Sequence, residues 1–409
     1  MALILFDDER ARAWIPFSVT RPAGELLFGC LTLRERSERF WGEACVGHLT
    51  DPRLDGFAEP GAARALDSAA RDSALGAGIG APRILFLSRA IPDFVPAPPV
   101  DEPAVLTIQG QIVGWILPDG TDPPSENDIL NPDDSAVGLP QVEIAGRVLP
   151  NIWDLMAGNG EQVRSDVPGL FSESRFTLTE GVHVTGADRV SVGKNVHLEA
   201  GVYLDASDGP IRLSDGVRLS AFTRLAGPAF VGPGTHILGG ALGDVTIGAA
   251  CRVRGEISST VLLGHVNKAH DGYIGHAYVG SWVNFGALTT NSDLKNNYGS
   301  VRVHTTEGTV DTGLIKVGCF LGDHVKTGIG TLLPTGCVVG VGSNLFAGLM
   351  APIHVPPFSW GSGDRLEEYE IERFLDTASL AMSRRDVSLD EGGRALLQQA
   401  WERTRPERE

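Results

Sequence analysis

The stretch Leu321–Leu345 reads LGDHVKTGIGTLLPTGCVVGVGSNL. Within it Leu321, Thr327, Leu333, Val339 and Leu345 stand six apart. Neither the helical repeat of 3.6 residues nor the strand repeat of 2 produces that interval. A triangular coil with one aliphatic residue per hexad pointing at its axis does. The interval recurs upstream at Val184, Val190, Val196 and Val202, at Ile211 and Val217, at Val231 and Ile237, and at Ile247 and Val253. Glycine follows the aliphatic at Val192-Gly193, Val231-Gly232, Ile247-Gly248 and Val317-Gly318. A sandwich of short strands would not hold one interval over so many repeats. The pattern predicts a parallel β-helix of hexapeptide repeats whose coils bury one another by stacking.

The repeat is interrupted at Asn267–Tyr298, NKAHDGYIGHAYVGSWVNFGALTTNSDLKNNY. With His265 just ahead of it, this stretch holds His270, His276 and two of the five lysines of the chain, Lys268 and Lys295. Flanked by regular hexads, it reads as an excursion between coils, and its polar content marks it as the first place to look for chemistry.

Residues 1–166 have a different character. Ala2–Phe6 and Arg83–Ser88 read as buried strands, and Ala104–Leu117 as a hairpin around Gly110. Glu25–Trp41 and Ala62–Leu75 have helical patterns, and Asn151–Val163 closes the region as a short helix. Strands alternating with helices predict an α/β domain. Beyond Pro356-Pro357 the chain turns helical again. One helix is expected over Asp364–Arg384, and a second is expected to start at a capping box in Ser388-Leu389-Asp390-Glu391 and run to about Thr404. Both are expected to cover the open end of the coil. The division is therefore an α/β domain over 1–166, a β-helix over 167–355 and a helical cap over 356–409.

Across 409 residues the formal net charge is −17. That balance argues against nucleic acid or an anionic membrane as the main partner, because both need a positive surface. The five cysteines form no CxxC pair, which suits buried thiols in a reducing, cytoplasmic compartment. No basic leader opens the chain, and no run approaches the ~18 apolar residues of a membrane span.

The residues ILFDD at the start, PFSVTRPAGEL after them and KAHDGYIGHAYVGSWVNFGALTTNSDLKNNYG in the centre resemble the bifunctional enzymes that join a sugar-nucleotidyltransferase domain to a hexapeptide acyltransferase domain. The resemblance is strongest in the C-terminal half. It implies that the parallel β-helix is left-handed, and it implies transfer of an acyl group from acetyl-CoA or another acyl-CoA to an amino-sugar phosphate, in a homotrimer. Acyl transfer to an amine needs a base, donors for the oxyanion and two aligned substrates. His270-Asp271-Gly272-Tyr273-Ile274-Gly275 follows the family order H-x-x-Y-x-G, so the resemblance makes His270 the general base. It gives Tyr273, Asn284, Asn297 and Tyr298 contacts to the acceptor, and Lys268 and Lys295 its phosphate.

For the N-terminal domain the resemblance implies a sugar 1-phosphate and a nucleoside triphosphate, usually bound by a Gly-rich loop and a lysine. Residues 1–166 contain neither that loop nor any lysine. Arg10, Arg21 and Arg34 stand in as phosphate contacts, and Asp7 and Asp8 as ligands for Mg²⁺. Two other readings stay open: nucleotidyl transfer alone, or a non-catalytic protein that binds a sugar nucleotide.

Overall fold

A computed structural model describes residues 2–75, 82–99, 101–135, 138–171 and 180–408. Strand Ala2–Phe6 lies between Cys45–Leu49 and Arg83–Leu87 and runs parallel to both. Arg83–Leu87 then pairs antiparallel with Gln111–Leu117, which forms the expected hairpin with Ala104–Ile108. Gln141–Glu143 adds a sixth strand. The inner strands read as unbroken apolar runs because both faces of the sheet are covered.

Helix Leu33–Trp41 opens on a capping box between Thr32 and Glu35. It starts later than the apolar pattern suggested, because Leu27–Phe28 and Leu31–Thr32 pair as a small hairpin around Gly29, whose φ of 68° suits glycine. The second helix is confined to Ser68–Leu75. Two helices close the region, Asp154–Ala157 and Asn159–Leu170. The division drawn at 166/167 therefore falls inside a helix.

The C-terminal part is a parallel β-solenoid of about ten turns. Its interior is a column of aliphatic side chains from Val182 to Val355, nearly all fully buried. On one face Leu198, Leu219, Ile237 and Val253 stack in register. The next position in that column is Lys268. Its ammonium donates to the carbonyls of Arg254 and His270, at 2.9 Å each. One turn further, Asn291 pairs with Leu333 and exchanges two hydrogen bonds with the backbone of Gly275.

These substitutions explain the interrupted period and correct its reading as an excursion. Asn267–Lys268, Tyr273–Gly275, Tyr278–Val279 and Thr290–Asn291 pair with neighbouring turns, so the stretch is a regular coil with polar residues at inward positions. The chain leaves the coil only after Asn291. It forms the hairpin Arg302–Thr305 with Gly308–Asp311 and rejoins at Cys319–Leu321.

The N-terminal domain packs directly on the solenoid. Trp14, Phe17, Phe28 and Trp153 share one apolar cluster with Val261, Tyr278, Phe320 and Val338. Arg21 crosses the same junction, bonding Asp323 and Glu59. The C-terminal helices, Ile371–Ser383 and Glu391–Arg403, differ from expectation in three respects. Arg365–Glu368 is a strand that pairs back on Ser359–Ser362, so the first helix starts later. The second is capped by Asp390, which accepts from the Gly393 amide, rather than by Ser388. Finally, the helices do not cover the end of the coil. Phe374 packs edge-on against His324 and Phe358 on the flank, and Leu396 joins Leu54 and Phe57 of the N-terminal domain. The apolar faces of these helices find their partners along the side of the molecule.

Candidate functional site

Chemistry-bearing side chains gather at two places. The first is a cavity of about 670 Å³ lined by Asp8, Arg10, Trp14, Arg89, Asn151 and Trp153, among others, with Thr305 and Glu307 of the solenoid hairpin on its rim. It lies beyond the carboxyl ends of Ala2–Phe6 and Arg83–Leu87, where ligands bind in open α/β sheets. Asp8 is buried at its base. It accepts from both Nε (2.9 Å) and Nη2 (2.5 Å) of Arg89 and caps the following turn through the Ala11 amide. Neighbouring Asp7 accepts from Thr50 Oγ1 at 2.5 Å and the Ala23 amide at 3.2 Å, while its Oδ1 is buried without a hydrogen-bond partner.

The two carboxylates thus serve separate networks rather than a shared cation. Among the described residues, no group of three or more His, Cys, Asp or Glu side chains is placed to hold a metal. As arranged, the pair does not form a Mg²⁺ seat.

Of the three arginines singled out for phosphate, only Arg10 reaches this cavity. Arg21 is 2% exposed and committed to Asp323 and Glu59. Arg34 bonds Glu25 and Glu38 at 2.7 Å each. Arg89, Trp14 and Trp153 were missed by the sequence reading. A cation directly after the strand Arg83–Leu87, with no acidic neighbour in sequence, was the available signal for Arg89.

The second place is on the solenoid. Tyr273 donates its hydroxyl to Asp293 Oδ2 at 2.6 Å, and His276 Nδ1 lies 2.7 Å from the same oxygen. Ser258 Oγ is 3.1 Å from the Tyr273 hydroxyl. Burial works against the Asp293 carboxylate, but the hydrogen bonds from Tyr273 and His276 outweigh it and hold its pKa below the usual range. Tyr273 is pushed up to about 12 by burial and then by its bond to Asp293. With Nδ1 turned to a carboxylate, the His276 ring presents Nε2 as an acceptor, the arrangement of an oriented base. Neither His276 nor Asp293 was selected from sequence. Asp293 lies at the point where the chain leaves the coil, and nothing in the six-residue period brings it to His276.

The other selected residues are dispersed. His270 is exposed at a coil corner, and its ring has no hydrogen-bond partner among the described residues. Lys268 points into the coil, 2% exposed, its pKa pushed down to about 8 by burial with Asp271 pulling it back. Asn284 accepts from the Asn267 amide at 2.8 Å on a different face. Lys295 donates to the Ser300 carbonyl, and Asn297 closes a turn onto the Gly299 amide. Tyr298 is 70% exposed on the excursion. Within one chain the structure joins only Tyr273 to the His276–Asp293 pair.

Residues 3–175 match the sugar nucleotidyl transferase family model. Among curated relatives, a bifunctional sugar-1-phosphate nucleotidylyltransferase/acetyltransferase of Sulfurisphaera tokodaii is 29% identical over 93 residues, 23% of each chain. The bifunctional protein GlmU of Gloeobacter violaceus is 32% identical over 136 residues, which is 33% of this chain and 25% of that one. These matches span about a quarter of the relatives' length. Among solved structures, the Arabidopsis UDP-N-acetylglucosamine acyltransferase aligns with 51% of this chain and 80% of its own, at 14% identity and a TM-score of 0.32.

Proposed function

We propose that the chain is a two-domain transferase of sugar-phosphate metabolism. Its N-terminal domain joins a nucleoside monophosphate to a sugar 1-phosphate with release of pyrophosphate, and its solenoid moves an acyl group from acyl-CoA to an amino sugar. The observation that carries the reading is the cavity around Asp8 and Arg89. It sits at the carboxyl ends of parallel strands, and most of its lining belongs to the segment that matches sugar nucleotidyl transferases. Arg10 supplies a phosphate contact at its rim, and Trp14 and Trp153 supply apolar surface for a base or sugar ring.

In the acyl-transfer half, the amine nitrogen attacks the thioester carbonyl, a base takes its proton, and the thiolate leaves. The resemblance gives the base to His270. A second reading, favoured by the 2.7 Å bond to Asp293, gives it to His276, with Asp293 stabilising the imidazolium that forms. Assembly of three chains and a reducing compartment belong to the same reading. Exposed Phe222, Ile329 and Met350, each more than half exposed, support self-association.

The test is direct. Purified protein is given acetyl-CoA and a panel of amino-sugar phosphates, and free thiol is followed for wild type, His270→Ala and His276→Ala. Loss of about 10²–10⁴ in rate identifies the base. Equal rates in all three remove both histidines from the mechanism. Pyrophosphate release from a panel of nucleoside triphosphates with sugar 1-phosphates tests the other half, with Arg10→Ala as the variant. No release from any pair would leave that domain without the proposed reaction.

A further inference from the structure

A second cavity, of about 480 Å³, lies on the flank of the solenoid beneath helix Ile371–Ser383. Three elements supply cations to it. Arg252 and Lys326 come from two strands of one solenoid face, and Arg384 and Arg385 from the end of the helix. Not one of its lining residues is acidic, in a chain whose net charge is −17. Asn267 and Asn284 stand side by side on its floor, joined at 2.8 Å. His265 lies against Trp282 in a parallel stack 4.0 Å apart, and its Nδ1 is buried without a hydrogen-bond partner.

The cations at this site are underused. Arg384 and Arg385 are close to carboxylates neither in the lining nor in any hydrogen bond or ion pair among the described residues. Among the described residues, Lys326 reaches only the His324 carbonyl, at 3.4 Å, and Arg252 only the carbonyls of Gly234 and Cys251. A basic residue at a helix C-terminus is commonly explained by the macrodipole. That account covers Arg384 and Arg385 separately. It does not explain why they converge on Arg252 and Lys326 across a cavity with no counter-charge. In the N-terminal domain, by contrast, Arg36 and Arg89 are matched by the carboxylates of Asp166 and Asp8.

We infer that this cavity binds a phosphorylated small molecule carrying more than one negative charge, with the paired amides of Asn267 and Asn284 reading its hydroxyl groups. Arg384 and Arg385 contact one phosphate, and Arg252 and Lys326 contact the other. The site is separate from the cavity around Asp8 and from the His276–Asp293 pair, and it shares only Asn284 with the acceptor contacts that the resemblance implies.

The five lysines make the inference testable by labelling, because none lies in the N-terminal domain. Pyridoxal 5′-phosphate is an aldehyde that carries a phosphate. It condenses with a neutral amine, losing water, and borohydride then reduces the imine to a stable adduct. Burial pushes the Lys326 pKa down to about 8, which favours that neutral amine near pH 8. The expected result is an adduct mainly on Lys326 by peptide mapping, suppressed by inorganic pyrophosphate. Arg384→Gln combined with Arg385→Gln should weaken pyrophosphate protection by at least about tenfold. Leu380→Glu changes an exposed side chain at the rim, 69% exposed, and should do the same through charge alone with the melting temperature unchanged. Adducts spread over Lys194, Lys268, Lys295 and Lys316, or protection that persists in both variants, would overturn the site. Labelling reads neither nucleotidyl nor acyl transfer, so failure of those activities leaves this result independent.

Discussion

In the N-terminal domain, buried arginines face carboxylates. Arg36 meets Asp166 at 2.6 Å with both side chains 1% exposed, Arg89 meets Asp8, Arg34 meets Glu25, and Arg21 meets Asp323 across the domain junction. In the solenoid, buried Lys268 and half-buried Lys326 bond no carboxylate among the described residues. Lys268 is held by two backbone carbonyls and Lys326 by one at 3.4 Å. The paired guanidiniums fix geometry. The lysines, desolvated without a partner, move towards neutrality, and both have a pKa near 8. Paired charge in this chain builds the scaffold, and unpaired charge is left free to respond to pH or to a ligand.

The most damaging way to break this comparison is to leave half of a buried pair. Arg36→Met strands the Asp166 carboxylate, which also accepts from the Cys30 amide and Gln162. The expected loss is about 3–5 kcal/mol in urea unfolding. Arg21→Met should be similarly costly because Asp323 is buried too. A loss below about 1 kcal/mol in both would mean that the pairs only break even with apolar packing.

Lys268→Met asks the reverse question, and its effect depends on pH. Between about 8 and 10.5 the unfolded lysine keeps a proton that the folded one has lost, so Lys268 adds stability as pH rises through that window. The buried thiols Cys251 and Cys319, pushed up to about 12 by burial, act in the opposite sense above pH 9. They are common to wild type and variant, so the informative quantity is the difference between the two. Relative to Lys268→Met, wild type should gain on the order of 2 kcal/mol between pH 7.5 and 9.5. A flat difference would place the Lys268 ammonium in a better-solvated setting than its two carbonyl bonds describe.

The solenoid was legible because one aliphatic column repeats over many turns, and neighbouring turns impose the same demand at every sixth residue. The sheet of the N-terminal domain was legible for a similar reason, since Ala2–Phe6 and Arg83–Leu87 are apolar throughout. The period failed where a polar residue turned inward. Lys268 looked like a surface cation offered to a phosphate because no local pattern records that Val253 lies beside it one turn away. Arg21 looked like a phosphate contact for the same reason, since its partner Asp323 is 302 residues distant. Tyr273 was selected as a contact to the acceptor, and its hydrogen-bond partner Asp293, shared with His276, reaches it only through the return of the coil. Long-range pairing of charge is what a single sequence does not display.

The smallest test concerns the neutral hydrogen bond that crosses the same junction as Arg21. Tyr278 is fully buried and donates its hydroxyl to the Leu27 carbonyl at 2.9 Å, while its ring sits edge-on to Phe17 at 4.9 Å. Tyr278→Phe keeps the ring contact and removes only the donor. The expected cost is about 1–1.5 kcal/mol by urea unfolding. That is well under the cost at Arg21, because a carbonyl short of one donor is cheaper than an unpaired buried carboxylate. If the two variants cost the same, the junction between Phe17, Tyr278 and Phe320 yields as one unit however it is disturbed. Pairing of charge would then have no special place in joining the two domains.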